Sequence, residues 1–166
     1  MLRIGLLSDT HGWLDPRLRV HFDACADIWH AGDIRLGVAE ELATWKPLRL
    51  VYGNIDDTHT RSAHPEHQRF KAEGMQVWIT HIAGKPPRYT PGILQELRSQ
   101  PTDLFICGHS HICAVRFDPD VNCLYMNPGA AGRRGWHQIR TALRFSLDTR
   151  QIKDLEVIEL GKRSQM

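Results

Sequence analysis

Residues 4–12 read Ile4-Gly5-Leu6-Leu7-Ser8-Asp9-Thr10-His11-Gly12, an apolar run that breaks into a polar turn. A short apolar run of this kind, here Leu2–Ser8, is consistent with a buried strand. Side chains of an extended segment alternate faces with period two, so Asp9 and His11 can point the same way at the strand's mouth. One carboxylate oxygen and one imidazole nitrogen then converge on one point, as a metal ion requires. Further short strands downstream end in His30-Ala31-Gly32-Asp33, Tyr52-Gly53-Asn54, Thr80-His81 and Cys107-Gly108-His109-Ser110-His111.

The segments between these motifs set the fold class. Asp15-Pro16 starts a helix carrying Leu18, Phe22 and Cys25 near helical spacing. Asp27–His30 reads as a strand, Val38–Thr44 as a helix stopped by Pro47, and Leu48–Tyr52 as a third strand. Strand–helix–strand–helix–strand at this spacing predicts parallel βαβ units. The second half changes character. Arg69–Glu73, a turn at Gly74 and Gln76–Thr80 read as a hairpin, and Ile82–Tyr89 as a loop containing Gly84, Pro86 and Pro87. Pro91 suits the first turn of a helix running to about Ser99. Asp103–Cys107, Ala114–Phe117, Cys123–Met126, Thr141–Ser146 and Lys153–Glu159 are strand candidates. That is more strands than one parallel sheet uses. The expected fold class is α/β, two packed sheets with outer helices, in a single domain over residues 1–166 with no repeat or linker.

Composition narrows the function. Hydrophobic residues make up 42% and charged residues 24%, ordinary for a soluble globular protein. The net charge of +2 supplies no electrostatic reason to bind nucleic acid or a membrane surface. Arg133-Arg134 reads as a solvated loop. The four cysteines, Cys25, Cys107, Cys113 and Cys123, lack Cys-x-x-Cys spacing, which argues against a disulfide framework and a structural zinc site. Cys107, at the end of an apolar run, is expected to be a buried reduced thiol. The chain shows no secretory signal, lipidation motif or apolar run of transmembrane length, so a cytoplasmic location is expected. Its ten histidines are the compositional oddity. His21 and His137 have no convergent partner in sequence, and His59, His64 and His67 lie in a polar stretch that reads as an exposed loop.

Asp9, His11, Asp33, Asn54, His81, His109 and His111 each lie where an expected strand meets a loop. Ligands gather at the carboxyl ends of strands in open α/β sheets, so all seven can meet on one edge. Gly32, Gly53 and Gly108 each precede a candidate ligand, where the missing Cβ permits close backbone approach. Two carboxylates, an amide and four imidazoles are too rich in nitrogen for calcium and lack the thiolates of structural zinc. They suit a borderline divalent ion such as manganese, iron, cobalt or zinc. Seven protein ligands exceed what one such ion takes, and two ions sharing one carboxylate distribute them. His30 and Asn127 are candidates to orient these ligands by hydrogen bonding. Arg88 and Arg35 are candidates to bind a phosphate oxygen.

Asp-x-His, Gly-Asp, Gly-Asn, a lone His and Gly-His-x-His, in that order over residues 2–130, resemble the signature of the calcineurin-like metallophosphoesterases. The short length, the Ser8–Gly12 start and Asn127-Pro128-Gly129 are similar to the small bacterial phosphodiesterase branch of that family. The resemblance implies a two-sheet sandwich flanked by helices with a dinuclear site on one edge. It implies that Asp9, His11 and His111 bind the first ion, that Asn54, His81 and His109 bind the second, and that Asp33 bridges them. The implied cofactor is a pair of divalent ions, Mn2+ first, with Fe, Co, Zn or Mg as alternatives. The implied activity is hydrolysis of a small phosphodiester by a hydroxide held between the ions, with no protein nucleophile. The family also holds nucleases, dinucleotide-polyphosphate hydrolases and a retromer subunit that serves as a protein-interaction scaffold. Every expected metal position here carries a competent residue, which favours an enzyme over a scaffold. A homo-oligomer is compatible with the chain, which shows no clear interface.

Three departures from the family pattern bear on substrate rather than metal. Many members read Gly-Asn-His at the third motif, and that His is held to protonate the leaving group; position 55 here is Ile55. Loss of a general acid typically removes a factor of about 10²–10⁴, so aryl phosphodiesters, whose leaving group needs little help, are the expected substrates. Asp56 is retained next door, where it can set the loop. Thr80-His81 is followed by Ile82-Ala83 where relatives often carry Gly-His, and Ala130 stands where Ser is common.

Overall fold

In the computed structural model, which describes residues 1–164, the first strand β1 (Leu2–Leu7) shows how the layers arise. Ile4 and Leu6 enter one buried cluster and Leu7 enters another, so β1 is buried on both faces. Gly5 faces the second cluster with no side chain because the Phe22 ring lies where its Cβ would be, 2.6 Å away. Gly5→Ala is therefore expected to cost about 2 kcal/mol by overpacking. A urea midpoint unchanged from that of the parent protein would show that Phe22 moves aside freely.

After β1 come α1 (Arg17–His21), β2 (Asp27–His30), α2 (Val38–Trp45) and β3 (Leu48–Leu50). β1 pairs in parallel with β2, and β2 with β3, as βαβ units require. Next come α3 (Thr58–Ala63), β4 (His67–Ala72), β5 (Met75–Thr80), β6 (Gly84–Lys85), β7 (Arg88–Tyr89) and α4 (Ile93–Ser99). The chain continues through β8 (Leu104–Ile106), β9 (Cys113–Asp118), β10 (Cys123–Pro128), β11 (Ile139–Asp148) and β12 (Gln151–Lys162). Two five-stranded mixed sheets result, ordered β12-β11-β1-β2-β3 and β4-β5-β8-β10-β9.

The core divides into the layers this topology demands. One cluster, with Ile4, Leu6 and Trp29 from the first sheet and Val77, Ile79, Leu104 and Ile106 from the second, fills the space between sheets. A second packs the outer face of the first sheet against Leu18 of α1 and Val38 and Leu42 of α2. A third packs Trp78 and Phe105 against Ile93 and Leu97 of α4. Helices thus cover the outer faces of a sheet-on-sheet sandwich, the expected fold class.

Several local expectations are corrected. The Ile82–Tyr89 segment contains the β6–β7 pair, joined through Pro86-Pro87. The stretch holding His59, His64 and His67 is not one loop: Asp57 accepts from Thr60 N (2.9 Å) and caps α3, and His67 begins β4. β11 and β12 extend well beyond Thr141–Ser146 and Lys153–Glu159. Arg133 is half-buried with its guanidinium 3.8 Å from the centre of the Trp13 ring, so this part of the arginine pair is packed rather than solvated. All four cysteines are free, and burial pushes the Cys107 thiol up to about 12, consistent with an inert reduced state. No helix among the described residues is long and apolar enough to cross a membrane.

Candidate metal centre

β1, β2, β5 and β8 end on one edge of the sandwich, and the loops that follow carry the candidate ligands. Backbone bonds continue past the strand ends and lock these loops in pairs. Asp9 N and His11 N donate to Gly32 O and Asp33 O, each at 3.0 Å, and Gly108 N donates to His81 O at 3.0 Å. The glycines before the ligands are required by contact. A Cβ on Gly53 would lie 2.1 Å from Asp33 Oδ1, and one on Gly108 2.1 Å from Ser8 Oγ. On Gly32 it would meet His81 Nδ1 at 2.6 Å. Asp9, His11, Asp33, His109 and His111 all hold positive φ, between 51° and 68°. Non-glycine residues rarely adopt this conformation, and such strain concentrates at functional sites.

Two donor groups form. Asp9, His11 and His111 make one, and Asp33, His81 and His109 the other. His111 Nε2 lies 3.1 Å from Asp9 Oδ1, and His81 Nε2 lies 3.1 Å from Asp33 Oδ2. Atoms bound to one ion at about 2.1 Å lie about 3.0–3.4 Å apart in tetrahedral or octahedral geometry, so these separations fit shared ligation. The groups adjoin: His11 Nε2 is 3.7 Å from both Asp9 Oδ1 and Asp33 Oδ2. Within each group the imidazole pairs match. The rings of His11 and His111, and those of His81 and His109, are 5.3 Å apart and inclined at 79°.

Hydrogen bonding decides which atoms remain free. Asp9 Oδ2 accepts from Ser8 Oγ (2.7 Å) and His109 N (3.1 Å), while Asp33 Oδ1 accepts from Ile55 N (3.0 Å). His81 Nδ1 faces Ala31 O at 2.7 Å and must donate, which in the neutral ring leaves the lone pair on Nε2. Asp9 Oδ1, His11 Nε2 and His81 Nε2 are buried without hydrogen-bond partners among the described residues. Orphaned buried polar atoms are costly, and three of them converging here fit a cation. Burial works against the Asp9 carboxylate, yet the imidazoles of His11, His111 and His81 around it hold it far below the usual range. Asp33 is also lowered, against burial, mainly by His81.

Residues around the groups pin the loops. Gly32 N donates to His30 Nδ1 (3.1 Å), so His30 Nε2 donates to Thr10 Oγ1 (3.0 Å). Complete burial pushes His30 down to about 3, keeping it neutral. Asn127 Nδ2 donates to Gly108 O (2.9 Å) and Ser110 Oγ (3.1 Å), while its Oδ1 accepts from Gly129 N (2.9 Å). Both act on the backbone beside the donor groups. Asp56 does likewise, accepting from Ile34 N, Arg35 N and Gly53 N, each at 2.8 Å.

The family model for the calcineurin-like phosphoesterase superfamily domain matches residues 2–150. The chain belongs to this superfamily. Solved phosphoesterase-fold structures agree across nearly the whole molecule. Vps29 from Chaetomium thermophilum superposes with a TM-score of 0.76 at 14% identity, covering 98% of this chain and 100% of that one. Vps29 from Entamoeba histolytica, complexed with zinc, gives 0.74 at 12% identity, with coverage of 98% and 100%. A structure described as a novel archaeal phosphodiesterase gives 0.72 at 21% identity, with coverage of 96% and 100%. A comparison with curated proteins returned no match.

On this phosphoesterase scaffold the remaining sequence candidates fall differently. Asn54 is exposed and, with His81, lines a cavity of about 500 Å³ shared with Tyr52, Arg61 and Ile93. Arg35 and Arg88 are exposed and do not line that cavity. The arginine there is Arg61, whose guanidinium donates to Asn54 O (2.7 Å) and Asp56 O (2.8 Å). Its position seven residues after Asn54 on α3 was the available signal, hidden because α3 itself carries no apolar stripe. His137, which has no partner in sequence, does have one in space: its Nδ1 lies 3.2 Å from His111 Nδ1.

Proposed function

We propose that this chain is a metal-dependent phosphodiesterase acting on small phosphodiesters at an open edge site. The observation that carries this reading is the convergence of three unpartnered buried donors, Asp9 Oδ1, His11 Nε2 and His81 Nε2. Asp9, His11 and His111 would hold the first ion, His81, His109 and Asn54 the second, with Asp33 shared between them. The mixed carboxylate, imidazole and amide set suits Mn2+, with Fe, Co, Zn and Mg as alternatives. When bound, such ions activate water and draw charge from a phosphoryl oxygen.

The chain's own residues prepare that chemistry. Backbone pairing and strained left-handed residues fix the donors before substrate arrives, so little reorganisation remains. The cavity beside Asn54 and His81 receives one ester group, and Arg61 supplies positive charge at its wall. Ile55 has no proton to give, so aryl esters, which leave unaided, are the favoured substrates. A net charge of +2 gives no field for long nucleic acids, and the intact donor set favours catalysis over a scaffold role.

The test is hydrolysis of bis-p-nitrophenyl phosphate by metal-stripped protein, with Mn2+, Mg2+, Zn2+ or nothing restored. Turnover is expected only after metal is returned. Absence of both turnover and bound metal would overturn the proposed ligand set. Full turnover by the stripped protein would overturn metal dependence.

A further inference from the structure

The loop between β10 and β11 closes over the first donor group and brings His137 against His111. Its course is enforced by contact: a Cβ on Gly135, where φ is 126°, would sit 2.1 Å from His111 Nδ1. Gly132 N donates to Asp9 O at 3.1 Å, tying the same loop to the start of the centre. Arg163 Nε donates to His137 O at 3.0 Å and holds the far side. The two imidazole rings stand 5.1 Å apart, inclined at 71°.

The protons in this arrangement can be assigned by elimination. His137 Nε2 lies 2.9 Å from Gly132 O, and a carbonyl oxygen only accepts, so Nε2 carries the proton. Neutral His137 then has a lone pair on Nδ1. His111 Nδ1, 3.2 Å away, must supply the proton to that lone pair. In the neutral ring His111 is thereby left with its own lone pair on Nε2, which with Asp9 Oδ1 at 3.1 Å makes two acceptors for one cation. The chain runs from Gly132 O through His137 to His111 and ends at the first donor group.

We propose that His137 is a positioning residue that fixes the tautomer and ring orientation of His111, so that His111 Nε2 is presented to the first ion. For its consequence on metal binding this rests on the ligand set proposed above; the tautomer itself does not. Such orienting partners typically alter metal affinity by about 10–100-fold when removed. The second donor group, whose His81 is oriented by Ala31 O instead, does not depend on His137.

Two readouts test this on the full chain, using His137→Phe, which keeps a ring but no acceptor, and His137→Asn, whose amide oxygen replaces Nδ1 as acceptor. Imidazole ¹H–¹⁵N spectra of the metal-free protein at alkaline pH, with both rings neutral, are expected to show His111 as the Nδ1–H tautomer in the parent and in His137→Asn. In His137→Phe that preference should be lost. Co2+ titration followed by visible absorption and calorimetry should then show one of two sites weakened about 10–100-fold in His137→Phe, the other unchanged, and recovery in His137→Asn. A parent His111 protonated on Nε2, or a His137→Phe protein with the parent's Co2+ affinities and spectrum, would overturn the proposal. Failure of the parent to bind two ions would overturn the ligand set and the metal-affinity part with it, while the tautomer result would still stand or fall by itself.

Discussion

Replacing Asp33 by asparagine is expected to lower kcat/KM for bis-p-nitrophenyl phosphate by about 10³-fold or more at saturating Mn2+. Asparagine has the same shape, so the loss isolates charge and lone pairs. Asp33 Oδ1 is committed to Ile55 N, which leaves Oδ2 facing His81 Nε2 at 3.1 Å and His11 Nε2 at 3.7 Å. An amide that keeps the Ile55 bond must turn its NH2 toward those imidazoles, where it offers a donor and no ligand. An amide flipped the other way strands Ile55 N. In both orientations the centre loses one negative charge from the position between the two groups. The folded state without metal should lose little, because relief of the repulsion between Asp9 and Asp33 offsets part of the attraction to His81 that is given up. The expected pattern is therefore lost turnover and reduced metal content with a urea midpoint only slightly below that of the parent. Turnover within tenfold of the parent at full metal load would show that Asp33 does not join the two groups.

The fold was legible where burial left a clear pattern. β1, β2, β5 and β8 lie within the sandwich and are covered on both faces, so each is a nearly unbroken apolar run with sharp ends. Edge strands read poorly: β12 exposes most of its residues, and only its middle carried a strand signal. α3 buries Thr60 alone, so no apolar period marks it and Asp57 was its only cue. The candidate ligands were legible because a topological rule sends strand-end residues to one edge. What no residue type announced was the backbone: aspartate and histidine do not advertise a left-handed φ, yet five site residues adopt it. Nor does sequence reveal that His137 meets His111 across 26 positions, because that contact depends on how the Gly129–Gly135 loop folds back.

Asp56→Ala should be the most destabilising substitution around the site, by about 4 kcal/mol, with an intermediate loss in Asp56→Asn. The side chain is 4% exposed and accepts three backbone N–H groups: Ile34 and Arg35 on Oδ1, Gly53 on Oδ2. Charge-assisted bonds of this kind are the stronger class, and each buried donor left unpaired costs about 1–3 kcal/mol. Asparagine can keep the Oδ1 pair but sets an NH2 against Gly53 N, so about 1–2 kcal/mol should be lost there. Urea unfolding of the metal-free proteins checks the order parent, Asn, Ala; an Ala variant within 1 kcal/mol of the parent would mean these bonds are replaced by water at no cost. The damage should spread to the centre, because the three donors tie the loop after Asp33 to the loop that carries Asn54. Mn2+ affinity should fall by about 10–100-fold even though Asp56 touches no candidate ligand side chain. Asp33 and Asp56 thus divide the work of two buried carboxylates on neighbouring loops. Asp56, whose two oxygens are both engaged by backbone donors, holds the loops together. Asp33, with one oxygen left facing two imidazole nitrogens, gives up that satisfaction in the metal-free fold and is suited to bind.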